Sequence, residues 1–132
     1  MSDLPRIREM GKAIRAIMRG MRSERERMTQ TTREAVTADA VRGPERESMA
    51  EYVAKMDAAK RALEGLRAER AALAECERLR LEASKMSEQR KQFLMRYYMR
   101  GESRLKLMQE FGVSRWTVRR WIAAEEGRAE KG

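Results

Sequence analysis

Apolar residues recur every seven positions through the first part of the chain. Ile7, Ile14, Met21 and Met28 share one heptad position, and Met10 and Ile17 fall three residues after the first two. Such a stripe, with Arg and Lys on the remaining faces, is the seam of a helix that packs along a partner helix. Gly11 and Gly20 each weaken it by about 1 kcal/mol relative to Ala, so the helix depends on that partner. The stripe fades after Met28, which places a first hairpin helix at 1–28. Residues 29–44 read as a connecting loop. Thr29, Thr31, Thr32 and Thr37 are poor helix formers, and Gly43-Pro44 is a strong breaker. A short helical turn fits between Thr32 and Ala40, and Pro44 suits the start of the next helix, where its missing N–H costs nothing.

A second long helix is predicted from about Glu45 to Ala83, within a segment of 45–86. Met49, Met56 and Leu63 repeat at seven, and Tyr52, Ala59, Leu66 and Leu73 interleave with them. Arg70 and Glu77 then interrupt the first register, and Cys76, Leu79 and Ala83 carry the stripe onward in a shifted one. At ~1.5 Å per residue the two helices would be ~37 and ~60 Å long. They suit an antiparallel hairpin. Their unequal lengths leave part of the longer stripe uncovered, which favours a homodimer through the long helices.

The pattern shortens after residue 86. Three brief helical segments are separated by glycines, and six of the seven aromatic residues lie here, from Phe93 to Trp121. Large rings dominate compact cores, so the globular part should be C-terminal. The first segment runs from Ser87, a good N-cap, to Arg100, with Phe93, Leu94, Tyr97 and Tyr98 as its apolar content and Gly101 as its stop. The second runs from Ser103 to Phe111. Leu105 with Met108, and Leu107 with Phe111, are spaced to face a core, and Gly112 ends it. Ser114 then caps a third helix, 115–125, and the tail 126–132 is polar and frayed. A short helix, a Gly-Val-Ser turn and a capped helix have the spacing of a helix-turn-helix. The fold class is therefore all-α: a long, coiled-coil-like antiparallel hairpin followed by a tri-helical helix-turn-helix domain at 87–125.

On the third helix Val118, Trp121 and Ile122 share one face and should be buried. The outer face offers Arg115, Trp116, Thr117, Arg119 and Arg120 to base edges. Arg can bond guanine O6/N7 bidentately, and an aromatic ring or a Thr methyl can touch the thymine methyl. Ser114 at the helix N-terminus, with Arg100, Arg104 and Lys106, suits backbone phosphates. Arg90, Lys91 and Arg96 are further candidates. An outward Trp116 is costly to expose unless DNA or a protein covers it.

Composition agrees with this reading. The chain of 132 residues carries 30 Lys+Arg against 21 Asp+Glu, net +9. From Lys85 onward there are twelve Lys+Arg and six Glu, so most of the excess sits in the compact domain, as a DNA footprint requires. The absence of His, of a Cys pair and of a Gly-rich phosphate loop removes the usual catalytic and metal-binding constellations. No enzyme activity, metal or cofactor is expected. Cys76, the single cysteine, reads as an inert seam residue. No apolar run nears the ~20 residues that span a bilayer, and no signal peptide is evident, so a cytoplasmic location without membrane contact is expected.

The stretch Gln92-Phe-Leu-Met-Arg-Tyr-Tyr-Met-Arg-Gly-Glu-Ser103, followed by Leu105 to Trp121, resembles the helix-turn-helix of sigma-factor region 4. In particular it is similar to small phage and prophage late-gene transcriptional regulators that carry this domain behind a helical hairpin. The resemblance implies transcription regulation by a phage-encoded protein in the bacterial host cytoplasm. It also implies promoter-proximal binding of double-stranded DNA, with the third helix in the major groove, and contact with bacterial RNA polymerase. The matching positions are Ser114, Arg115, Trp116, Thr117, Arg119 and Arg120. One departure is Met108, where such motifs usually place Ala. Two other readings stand beside it. One is a small terminase-like DNA-packaging subunit, although those usually place the DNA domain first. The other is a helical interaction module that binds RNA polymerase through the face crowned by Trp116.

Overall fold

The computed structural model of the protein describes residues 2–38 and 42–127, with side chains throughout except at 31–38 and 42–48. Every element among the described residues is helical: α1 (Leu4–Ala38), α2 (Arg42–Ala83), α3 (Glu88–Leu94) continuing into a π-helical turn (Met95–Met99), α4 (Arg104–Phe111) and α5 (Arg115–Glu125). The chain divides into two compact units. Among the described residues, one comprises 13–38 with 42–67, and the other joins 2–12 to 68–127.

In both units α1 and α2 run antiparallel. In the first, Glu24 lies 3.9 Å from Lys55, and Arg67 reaches the Met18 sulfur at 3.6 Å. Met28, Met56 and Leu63 are buried there, as the heptad stripe predicts. In the second unit Arg6 pairs with Glu69, and Arg70 donates to the Ile7 carbonyl at 3.3 Å. Helix α1 does not stop at Met28. It runs through Thr29, Thr31, Thr32 and Thr37 to Ala38, so much of the expected connection is helical. Thr costs a helix only a fraction of a kcal/mol, and the Thr29 hydroxyl donates to the Arg25 carbonyl at 2.9 Å, as mid-helix threonines do. Helix α2 begins at Arg42, which leaves Gly43 and Pro44 in its first turn, where no N–H is needed. Residues 39–41 and 128–132, which the loop and tail expectations also cover, lie outside the described residues.

The register of α2 is also simpler than its sequence suggests. It does not shift at Arg70 and Glu77. Both keep their seam positions: Arg70 is half-buried and Glu77 is buried, whereas Cys76 and Leu79 are exposed. The polar seam residues are tolerated because each finds partners. Arg70 also donates to the Met99 carbonyl. The Glu77 carboxylate accepts from the Ser2 hydroxyl, the Asp3 amide and Arg80. Buried polar groups persist when they are paired in this way.

The core of the second unit draws on five helices. Leu4, Ile7 and Leu81 are fully buried together with Phe93, Leu94, Tyr98 and Leu107, alongside Val118 and Ile122. The helix-turn-helix therefore does not close its core from residues 87–125 alone. Within α3 and its extension, the expected continuous α-helix to Arg100 gives way to the π turn at Met95–Met99. A π turn holds more residues than an α turn, so neighbouring side chains diverge less. Adjacent Tyr97 and Tyr98 thus both face inward, their rings 4.8 Å apart and nearly perpendicular.

Candidate nucleic-acid interface

The two helices of the motif are set by local chemistry. Ser103 accepts from the Lys106 amide, and Ser114 from the Thr117 amide, each at 3.2 Å, so both helices start on a hydroxyl N-cap. Ser87 does the same for α3. Gly112 closes α4 at φ 65°, a left-handed conformation in which any other residue pays a steric cost. Its amide and that of Val113 both return to the Met108 carbonyl, at 2.9 and 3.2 Å. Met108 itself is half-buried against the core, so the larger side chain is accommodated beneath the turn.

Helix α5 is sided as its spacing predicts. Val118 and Ile122 are buried, and Trp121 packs edge-on against Phe93 with ring centres 5.4 Å apart. Glu125 continues this inner face and is buried, paired with Arg80 at 2.9 Å. Arg115, Trp116, Arg119 and Arg120 are exposed, and Thr117 is half-buried. Trp116 keeps 64% of its surface in solvent. Its ring is flanked by Arg119 and Arg115, whose guanidinium carbons lie 5.3 and 5.8 Å from the ring centre. None of Arg115, Arg119 and Arg120 forms an ion pair among the described residues. A planar apolar ring between free cations can stack on a base or a methyl group while the guanidiniums bond base edges or phosphates.

The predicted phosphate contacts divide. Arg100 is exposed and has no ion pair among the described residues. Arg104 is exposed and donates from Nε to the Tyr97 hydroxyl at 3.4 Å, and that hydrogen bond, helped by the nearby negative charge of Glu126, holds its proton more tightly than usual against the opposing effect of partial burial. Lys106 pairs with Glu102 at 3.3 Å but stays mostly solvated. Ser114 shares a 3.0 Å hydrogen bond with the Thr117 hydroxyl in addition to its capping role. Arg96 is structural: it holds Glu102 bidentately at 2.7 and 2.8 Å and Glu110 at 2.6 Å. That network holds the Glu102 carboxyl at about 2, mainly through the Arg96 hydrogen bonds. Lys91 donates to the Glu82 carbonyl at 3.3 Å, and Arg90 Nε is buried without a hydrogen-bond partner. Leu105, expected in the core, is exposed on α4.

Three features escaped the sequence. Arg8 donates to the Tyr97 carbonyl and stacks on the Tyr97 ring at 4.0 Å. Arg80 bridges Glu77 and Glu125, tying α2 to the end of α5. Burial of Leu4 and Ile7 joins the N-terminus to the domain. All depend on pairs far apart in the chain, and only the unexplained polar seam residues of α2 hint at them.

A capped helix pair with an open basic face defines a helix-turn-helix of the DNA-binding class. The family model of the CENP-B N-terminal DNA-binding domain matches residues 90–127, which takes in the π turn, both helices of the motif and the turn between them. This match supports a DNA-binding helix-turn-helix. It does not extend to the phage late-gene regulators, nor to sigma region 4. No curated protein and no solved structure matches the chain. Among the described residues no helix is long and apolar enough to cross a membrane, and no acidic or sulfur cluster could hold a metal.

Proposed function

We propose that the protein is a non-enzymatic, sequence-specific DNA-binding regulator of transcription that lays α5 into the major groove of duplex DNA. The observation that carries this reading is the unpartnered face of Arg115, Trp116, Arg119 and Arg120, projecting from a helix whose opposite side is locked into the core. Base reading falls to these side chains and Thr117. Ser114, Arg100, Arg104 and Lys106 anchor the backbone. In vitro selection of bound duplexes tests it. The wild type should enrich a defined site, and the Arg119→Ala/Arg120→Ala variant should lose about 1–3 kcal/mol per bidentate contact and relax the preference at the positions read. Undiminished, equally selective binding by the double variant would end the proposal.

The exposed indole of Trp116 favours one second reading, in which the same face grips a protein such as RNA polymerase. Salt separates the two. Phosphate contacts release counterions and make binding fall steeply with salt, whereas capture through an indole does not.

A further inference from the structure

The N-terminal turn of α1 does more than fill the core of the helix-turn-helix unit. Three guanidiniums converge on the π turn. Arg8 donates to the Tyr97 carbonyl, Arg70 to the Met99 carbonyl, and Arg104 Nε to the Tyr97 hydroxyl at 3.4 Å. Arg8 and Arg104 also share one ring, their guanidinium carbons 4.0 and 5.7 Å from the Tyr97 ring centre. Two cations held against a single ring repel each other. Glu126, fixed by the Tyr98 hydroxyl at 3.2 Å, offsets part of the charge on Arg104. Arg8 has no ion pair among the described residues. Arg96, by contrast, is neutralised by the carboxylates of Glu102 and Glu110. Capping one carbonyl uses only part of a guanidinium that carries five N–H donors, and Arg8 is only half-buried.

We propose that Arg8 and Arg104, stacked on Tyr97, form a clamp for a backbone phosphate of duplex DNA, so that the first helix contributes directly to the interface. The proposal rests on the DNA-binding reading above and adds to it a residue from the opposite end of the chain. A phosphate supplies the negative charge that Arg8 lacks and that Glu126 gives Arg104 only in part, and guanidinium–phosphate hydrogen bonds are charge-assisted and strong. The clamp carries no sequence information. It sets affinity and orientation and makes both depend on the docking of the N-terminal turn.

The test is the salt dependence of DNA binding by the full chain for the wild type, Arg8→Gln and Arg8→Lys, each at a temperature where its melting curve shows it folded. Arg8→Gln keeps a donor for the Tyr97 carbonyl but loses the charge. Its plot of log affinity against log salt should be shallower by about 0.9, with the same fractional loss on specific and non-specific duplexes. Arg8→Lys should keep the wild-type slope. A wild-type slope in Arg8→Gln, whatever its melting temperature, would overturn the clamp and leave the α5 reading intact. Failure of the wild type to bind any duplex would instead remove the reading on which the clamp rests.

Discussion

Truncating Ile7 to Ala should destabilise a helix-turn-helix that lies more than eighty residues further along the chain. Ile7 is fully buried in the cluster that also holds Leu4, Phe93, Leu94, Tyr98 and Leu107. The substitution removes three carbons from that core. At about 0.8 kcal/mol per buried methylene the transfer loss is about 2.4 kcal/mol, and incomplete collapse of the cavity raises the total to about 3 kcal/mol. For a domain of this size that corresponds to a fall in melting temperature of more than about 10 °C. Both tryptophans, Trp116 and Trp121, lie in α5. Urea unfolding followed by tryptophan fluorescence therefore reports the helix-turn-helix specifically. Met18→Ala, at an exposed position of the same helix, is the control and should stay within about 0.5 kcal/mol of wild type. If Ile7→Ala unfolds at the wild-type urea midpoint, the helix-turn-helix closes its core without the N-terminus, and the five-helix account of it is wrong.

Other substitutions probe separate parts of the structure. Glu77→Ala strands the Asp3 amide and removes one of the two carboxylates that hold Arg80, and should cost about 2 kcal/mol in urea unfolding, less than a fully buried pair because Arg80 keeps Glu125 and some access to water. Gly20→Ala in α1 and Gly65→Ala in α2 meet no atoms within 4 Å and should each raise the stability of the unit that holds them by up to about 1 kcal/mol, read by far-ultraviolet circular dichroism in urea. Trp116→Ala should leave the melting temperature unchanged while weakening DNA binding in a fluorescence anisotropy titration; a loss of stability would show that the indole packs internally. Glu102 titrates at about 2 in the folded chain against an ordinary value of 4.5, so it stabilises the fold fully above about pH 5 and loses that contribution as pH falls toward 2. Acid unfolding of Glu102→Gln should accordingly show a shallower pH dependence than wild type over that window.

The parts of the fold that were legible in the sequence are those governed by neighbours in the chain. Ser87, Ser103 and Ser114 are three-residue capping signals, Gly112 marks a left-handed stop, and Val118 with Ile122 sides a helix by spacing alone. The outward Arg/Trp face of α5 follows from the same arithmetic. What escaped was governed by distant partners. Arg70 and Glu77 look like breaks in an apolar stripe until the carbonyls of Ile7 and Met99, and the Ser2 and Asp3 donors, are brought beside them. Arg96 looks like a free cation until Glu102 and Glu110 close on it. Leu105 has the spacing of a core residue, yet the rotation of α4 turns it to solvent. The run of threonines after Met28 looks like a loop because their individual preferences are weak, but none of them forbids a helix that is already propagating.

The central claim is that the outer face of α5 enters duplex DNA. It is tested most directly by amide chemical-shift mapping of the full chain titrated with its selected duplex. The largest shifts should fall on residues 114–120, with smaller ones at Arg100, Arg104 and Lys106. Shifts confined to residues 13–67, or a titration that leaves Ser114 to Arg120 unmoved, would contradict it.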